Sequence, residues 1–121
     1  MLNKIKFSYR EADNQTGLFT PYHTLYKCKI KVDGLQYTFP FQCNATHTTP
    51  NLLMCLDALL MDAYAYDECH DVVDFCQTFG YNNANGIKAY KGCKKNYKAL
   101  HRLFSSEELE MIRKELEEEG F

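Results

Sequence analysis

The stretch from Cys69 to Phe104 constrains the fold of this 121-residue chain more than any other. Gly80 can adopt the left-handed conformation that ends a helix, and the polar run from Asn82 to Gly86 is typical of a turn. The pattern therefore predicts a helical hairpin whose second helix has about five turns. Apolar residues recur on either side of the turn at intervals of three and four, the spacing of one helix face: Val72, Phe75, Cys76, Phe79, Ile87, Tyr90, Cys93, Tyr97, Leu100, Leu103 and Phe104.

Three upstream segments alternate apolar and polar residues, which predicts β-strands. They are residues 4–9, 26–32 and 35–41. Asp33-Gly34 separates the last two and favours a type I′ turn, so these two strands form a hairpin. Pro40 lacks a backbone donor, which favours an edge strand or a bulge at that position. A two-residue loop brings only apolar residues opposite one another on one face: Val32 and Leu35, Ile30 and Tyr37, Cys28 and Phe39, Tyr26 and Phe41.

Two further helices flank the helical hairpin. The first is predicted to start at Thr48-Thr49-Pro50 and to run to about Tyr64. The last begins at Ser105 and Glu108, which have the spacing of a capping box. It ends near Gly120, where clustered glutamates predict fraying. We therefore expect an α+β fold, a small antiparallel sheet (N-terminal strand plus β-hairpin) packed on three to four helices. One domain spans residues 1–121, with the sheet in 1–43 and the helical part in 49–119.

Composition excludes several classes of protein. No run approaches the roughly 18 apolar residues of a membrane span, and MLNKIKFSYR has no signal-peptide core. We therefore expect a cytoplasmic protein, in the host cell, with no membrane partner. The six cysteines follow ordinary helix or strand patterns, so we expect them to be reduced and mostly buried. A zinc site is the alternative, but the chain has no CxxC pair, and we expect no metal or cofactor.

Catalytic motifs are missing from the sequence. The four histidines, His23, His47, His70 and His101, lie in separate segments without a partner motif, and we expect His101 to be a partly buried structural residue. An acidic cluster is expected to surround a helix start and to supply its cap from Asp67 or Glu68. No phosphate-binding glycine loop accompanies this cluster, which consists of Asp67, Glu68, Asp71 and Asp74. The chain is therefore predicted not to be an enzyme.

Positive charge is concentrated on two predicted surfaces. One is the outer face of the sheet, with Lys4, Lys6, Lys27, Lys29 and Lys31; the other is a stripe on the long helix, with Lys88, Lys91, Lys95, Lys98 and Arg102. Such surfaces can neutralise phosphates, with Asn82, Asn83 and Asn85 available at the helix entrance. The alternative is structural, because lysines on a small sheet also prevent aggregation and a basic helix face is commonly just solvated.

Negative charge is concentrated on the last helix. It carries Glu107, Glu108, Glu110, Glu115, Glu117, Glu118 and Glu119. These residues either confer solubility or form a partner-binding surface whose carboxylates imitate nucleic-acid phosphates. In the second case the expected contact residues are Glu107, Glu108, Glu110, Glu115 and Glu118.

A resemblance adds to this interpretation. The residues DFCQTFGYNNANGIKAYKGCKKNYKALHRLFSSEELEMI, with YKCKIKVDGLQYTFPF and TTPNLLMCLDAL upstream, resemble a group of small uncharacterised proteins of bacteriophages and other mobile elements. The most specific part is the Phe79-Gly80-Tyr81 turn followed by the Lys88-Ala89 helix. The resemblance implies phage origin. Because small phage accessory proteins often inhibit host defence, it also implies an anti-CRISPR or similar role.

Two functions are therefore expected from the sequence. The first is a non-enzymatic inhibitor that binds a host protein or ribonucleoprotein complex of CRISPR type through its acidic helix or basic sheet face. The second is a nucleic-acid-binding accessory protein that uses the basic helix over residues 86–104. The sequence leaves the oligomeric state open.

Overall fold

The computed structural model describes residues 1–12, 24–43 and 48–121. It contains a three-stranded antiparallel sheet and four α-helices within those ranges, which confirms the predicted α+β class. The chain divides into two compact units, Met1–Cys55 and Leu56–Phe121. The first unit holds the sheet, and the second holds most of the helical residues.

The first unit begins with a single 3-10 turn, Leu2–Lys4. It is followed by β1 (Lys6–Glu11), β2 (Thr24–Val32) and β3 (Leu35–Cys43), in the order β1-β2-β3. Every neighbouring pair is antiparallel. The first strand starts two residues later than predicted because the Lys4 and Ile5 amides donate to the carbonyls of Met1 and Leu2, both at 3.1 Å.

The β2–β3 hairpin has the predicted register. Val32 pairs with Leu35, and Cys28 pairs with Phe39. Positive φ angles at Asp33 (50°) and Gly34 (80°) are those of a type I′ turn. Ile30 and Phe39 are buried, whereas Leu35 beside the turn is 43% exposed. β3 is an edge strand of the described sheet, as Pro40 predicted.

The first long helix, α1 (Leu52–Glu68), differs from the prediction at both ends. It begins after Asn51, whose Oδ1 accepts a hydrogen bond from the Met54 amide at 2.9 Å, so Thr48 and Thr49 do not provide the cap. The helix continues one turn beyond Tyr64. Its residues up to Cys55 belong to the first unit, and the remainder belongs to the second.

The predicted helical hairpin is formed by α2 (Val72–Phe79) and α3 (Asn83–Leu103). Gly80 ends α2 in the left-handed conformation, with φ of 73°, as predicted. The α2 cap is Asp71, not Asp67 or Glu68, which lie in the last turn of α1. The turn is shorter than predicted, because Asn82 already caps α3 by accepting a hydrogen bond from the Asn85 amide.

The last helix, α4 (Ser106–Glu118), has the predicted capping box at its start. Ser105 Oγ accepts from the Glu108 amide at 3.1 Å, and Glu108 Oε1 accepts from the Ser105 amide at 2.9 Å. Hydrogen bonds close the C-terminal end of this helix, where the clustered glutamates predicted fraying. The Phe121 amide donates to the Leu116 carbonyl and the Gly120 amide to the Glu117 carbonyl, at 3.0 and 3.1 Å. This Schellman motif satisfies the terminal carbonyls.

Aromatic rings contribute much of the packing in the second unit. Tyr66 of α1 contacts the rings of Tyr90 and Tyr97 in α3, with centroid distances of 5.4 and 5.1 Å. Phe75 of α2 contacts Tyr90 at 5.5 Å and stacks on Tyr81 at 5.8 Å. The Tyr66 contacts explain why α1 extends beyond its predicted end. These contacts hold the second half of α1, α2 and α3 together.

Candidate binding surfaces

The basic stripe on α3 is present as predicted. Its members Lys88, Lys91, Lys95, Lys98 and Arg102 are all exposed, and α3 contains no acidic residue. Within the described ranges, no carboxylate lies within ion-pair distance of the four lysines. The side chain of Asn82 is occupied by its capping bond, so it does not offer the free base-contacting group that the sequence suggested.

The lysines of β2 are also exposed, and the strand register adds cations beside them. Lys27, Lys29 and Lys31 alternate with buried residues along the strand. β1 places Lys6 opposite Lys31 and Arg10 opposite Lys27. We call the surface formed by Lys6, Arg10, Lys27, Lys29 and Lys31 the basic sheet face.

The predicted acidic surface of α4 is partly neutralised. Arg113 lies between Glu110 and Glu117 and forms an ion pair with each. Its hydrogen bond to Glu110 lowers the pKa of that carboxyl group. Glu108 is engaged in the capping box and Glu115 is half-buried. Of the expected contact residues, Glu107 and Glu118 are the two that are exposed and outside these interactions.

A feature that sequence reasoning missed is an apolar groove of about 660 Å³ in the second unit. Met61 and Tyr64, on one of its walls, are 65% and 66% exposed. Helices α1 and α4 supply most of the lining, with contributions from α2, α3 and the C-terminal residue. The available signal was α1 itself, which is apolar over more than one face. We call this feature the apolar groove; its apolar lining includes Leu60, Met61, Tyr64, Leu109, Leu116 and Phe121.

The rim of the apolar groove carries a negative excess. Five carboxylates and one guanidinium line it: Asp57, Asp67 and Glu68 from α1, and Glu110, Glu117 and Arg113 from α4. His101 also lines the groove, with its ring 4.3 Å from that of Tyr97. His101 is exposed, so the expectation of a partly buried histidine was wrong. His23 and His47 lie outside the described residues.

A part-buried polar contact between helices in the second unit involves Asp62. Asn96 Nδ2 donates a hydrogen bond to Asp62 Oδ2 at 2.9 Å, and this contact joins α1 to α3. Burial raises the pKa of Asp62. Burial, together with the adjacent Asp62, also raises the pKa of the Cys93 thiol to about 11. A thiol with that pKa stays protonated near neutral pH, so this pair does not have the character of an activated nucleophile.

The cysteines have the surroundings of structural residues. All six are free, and every one except Cys69 is buried, as expected. Cys28 and Cys55 share a side-chain hydrogen bond within the first unit, and burial raises the pKa of both thiols.

The acidic cluster that surrounds the start of α2 is used locally. Asp71 Oδ1 accepts from the Asp74 amide, and Asp74 Oδ2 accepts from the His70 amide, both at 2.9 Å. In the part of the chain that the structure describes, no three His, Cys, Asp or Glu side chains are arranged to hold a metal ion. Nor does any helix there combine the length and apolar character needed to cross a bilayer.

Comparison of the chain with protein-family models, with curated proteins and with solved structures gave no match. The resemblance to phage proteins therefore stays a prediction, and the surfaces described above are the observations that bear on function.

Proposed function

We propose that this protein is a non-enzymatic, phage-type accessory protein that docks on a host protein and blocks it. The observation that carries the proposal is the apolar groove, where Met61 and Tyr64 leave about two thirds of their surface in solvent. Soluble proteins seldom cluster large apolar side chains on their surface unless the cluster binds something. A partner that covers the groove removes this apolar area from water and gains affinity from it.

The shape and charge of the apolar groove favour a helical partner segment with basic flanks. A cleft lined mostly by helices accommodates the apolar face of an amphipathic helix, with side chains at i, i+3, i+4 and i+7 as anchors. Five carboxylates line its rim, and Arg113 is the one guanidinium there that offsets their charge. Lysine or arginine residues flanking the apolar face would complement this rim and steer the encounter.

The class of partner follows from the same chemistry together with the sequence resemblance. Proteins that handle nucleic acid present lysine- and arginine-rich segments, and an acidic rim is complementary to them. We therefore propose a host defence ribonucleoprotein complex of CRISPR type as the target.

An infection assay tests this function. Bacteria with CRISPR immunity against a phage are supplied with the wild-type protein, with Met61→Ser/Tyr64→Ser, or with the control Val73→Ser/Ile87→Ser, whose positions are exposed outside the groove. We expect the wild type and the control to restore plaque formation, and the groove variant to restore much less. Intact immunity across a panel of CRISPR types, or equal restoration by the groove variant, contradicts the proposal.

A second candidate function is nucleic-acid binding through α3. It is favoured by four exposed lysines on one helix without a carboxylate partner among the described residues. Binding of this kind weakens steeply as salt rises, because each neutralised phosphate releases counterions. Loss of a salt-dependent affinity on Lys91→Glu/Lys95→Glu/Lys98→Glu, with folding retained, would support this function.

A further inference from the structure

We infer that the basic sheet face is a separate binding surface for the phosphate backbone of double-stranded nucleic acid. This inference does not depend on the apolar groove or on the α3 stripe. It rests on the strand register, on the absence of acidic side chains from the described part of the face, and on the shape of the surface between the cations.

The first observation is the accumulation of positive charge across two strands. The register brings Lys6 opposite Lys31 and Arg10 opposite Lys27, and Lys29 lies between them on β2. Like charges directly opposite each other destabilise a sheet. A bound polyanion relieves that repulsion. A surface that served only solubility would be more stable with positive and negative side chains interspersed.

The second observation is that no described carboxylate of this unit shares the face. Glu11 pairs with the buried Tyr26, so strand alternation puts it on the opposite side from Arg10. Asp33 lies in the hairpin turn. The positive charges are therefore uncompensated within the described sheet.

The third observation is a shallow depression of about 190 Å³ between these cations. Ser8 and Thr38 line it together with Arg10, Lys27 and Lys29. Hydroxyl groups and cations are the usual donors to phosphate oxygens. Successive same-face residues of a strand are about 6.8 Å apart, so Lys27 and Lys29 can each contact a different phosphate group.

The face favours a duplex over a single strand because it offers no stacking platform among the described residues. Proteins that bind single strands place exposed aromatic rings where bases can stack. Tyr9 borders the depression, but it pairs with the buried Cys28, so strand alternation puts its ring on the opposite side of the sheet from Lys27 and Lys29. A duplex presents phosphates outward and does not need such rings.

Titration with a short DNA duplex of mixed sequence, followed by fluorescence anisotropy at several salt concentrations, tests the inference. The sheet variant is Lys27→Glu/Lys29→Glu/Lys31→Glu. The matched control, Lys91→Glu/Lys95→Glu/Lys98→Glu, changes the net charge by the same amount, but its substitutions are on α3. We expect the sheet variant to lose at least about tenfold more affinity than the control, and its salt slope to fall by about one for each lysine. Lys27→Arg/Lys29→Arg/Lys31→Arg should bind like the wild type.

Several outcomes overturn the inference. One is that the wild-type protein shows no salt-dependent binding, and another is that the sheet variant binds as well as the wild type. The inference also fails if the α3 control loses as much affinity as the sheet variant or more. It fails as well if polyglutamate competes for the protein as effectively as unlabelled duplex does. Circular dichroism checks the folding of each variant, and Lys27→Gln/Lys29→Gln/Lys31→Gln replaces the sheet variant if that one does not fold. Met61→Ser/Tyr64→Ser should keep duplex binding, which separates this result from the groove function.

Discussion

Gly86 of α3 lies directly against the thiol of Cys76 in α2, and the space between them admits no side chain. A Cβ built on Gly86 would overlap Cys76 Sγ and would come within 3.1 Å of Tyr81 Cβ. Both helices can therefore pack closely only with glycine at this position. This contact fixes the tight α2–α3 hairpin, on which the α3 surface depends.

Gly86→Ala should destabilise the protein by about 1–3 kcal/mol, because the added methyl group overpacks this contact. Urea denaturation measures the effect. Gly92→Ala is the control, since it lies in the same helix with nothing within 4 Å of its Cβ position. That change should stabilise the protein by up to about 1 kcal/mol, as expected for alanine in an exposed helix position. If Gly86→Ala proves as harmless as the control, the described packing is wrong.

Asp62→Asn should stabilise the protein at neutral pH. Burial raises the folded-state pKa of Asp62 above its ordinary value of 3.8, so the stability that this group contributes is complete below about 3.8 and is lost as pH rises through the folded pKa. Asparagine imitates the protonated acid at every pH. Thermal melts should therefore show a higher midpoint for the variant at pH 7 and convergence with the wild type in acid. A variant that is less stable at pH 7 would show that the hydrogen bond from Asn96 to the charged carboxylate stabilises the protein by more than the burial of that charge costs.

Gly120→Ala should weaken the end of α4. Gly120 has φ of 95°, where a Cβ costs about 1–2 kcal/mol, and it closes the Schellman motif that directs Phe121 toward the groove. Gly120→Asn should cost less, because asparagine tolerates positive φ. Amide hydrogen exchange at positions 120 and 121 reports the loss directly. Equal protection in the wild type and the alanine variant would show that the motif does not form in solution.

Lys31→Glu should stabilise the sheet by about a few tenths of a kcal/mol, because it replaces a repulsive pair with Lys6 by an attractive one. Lys29→Glu is the comparison, since Lys29 pairs with Ser8 and Thr38, which are uncharged. Chemical denaturation at low salt should show a larger gain for Lys31→Glu, and added salt should reduce the difference. A gain of the same size for both variants would indicate a general effect of net charge.

The features that the sequence predicted are those set by local rules. The β2–β3 register follows from a two-residue turn and a period of two, so Ile30 and Tyr37 had one possible pairing. The Gly80 cap and the Ser105 capping box likewise involve neighbours in the chain. The ion pairs of Arg113 with Glu110 and Glu117 also have helical spacing of three and four, so they could have been read from the sequence.

The features that were missed depend on long-range packing. The end of α1 is fixed by contacts of Tyr66 with two tyrosines of α3, more than twenty residues away. The apolar groove was not predicted because periodicity identifies apolar faces but does not say which of them another element covers. Met61 and Tyr64 are apolar residue types that could equally occupy a core. Only the arrangement of α1 and α4 leaves them exposed.

Site-specific photocrosslinking in host cells tests the central claim, that the apolar groove holds a basic-flanked helix of a host protein. A benzophenone side chain replaces Met61 or Tyr64 in the groove, or Val73 outside it, and mass spectrometry identifies the crosslinked partner and its segment. We predict that both groove positions capture the same protein, that the captured segment is an amphipathic helix flanked by lysine or arginine, and that Val73 does not capture it. An acidic or non-helical segment, or equal capture from Val73, would contradict the account.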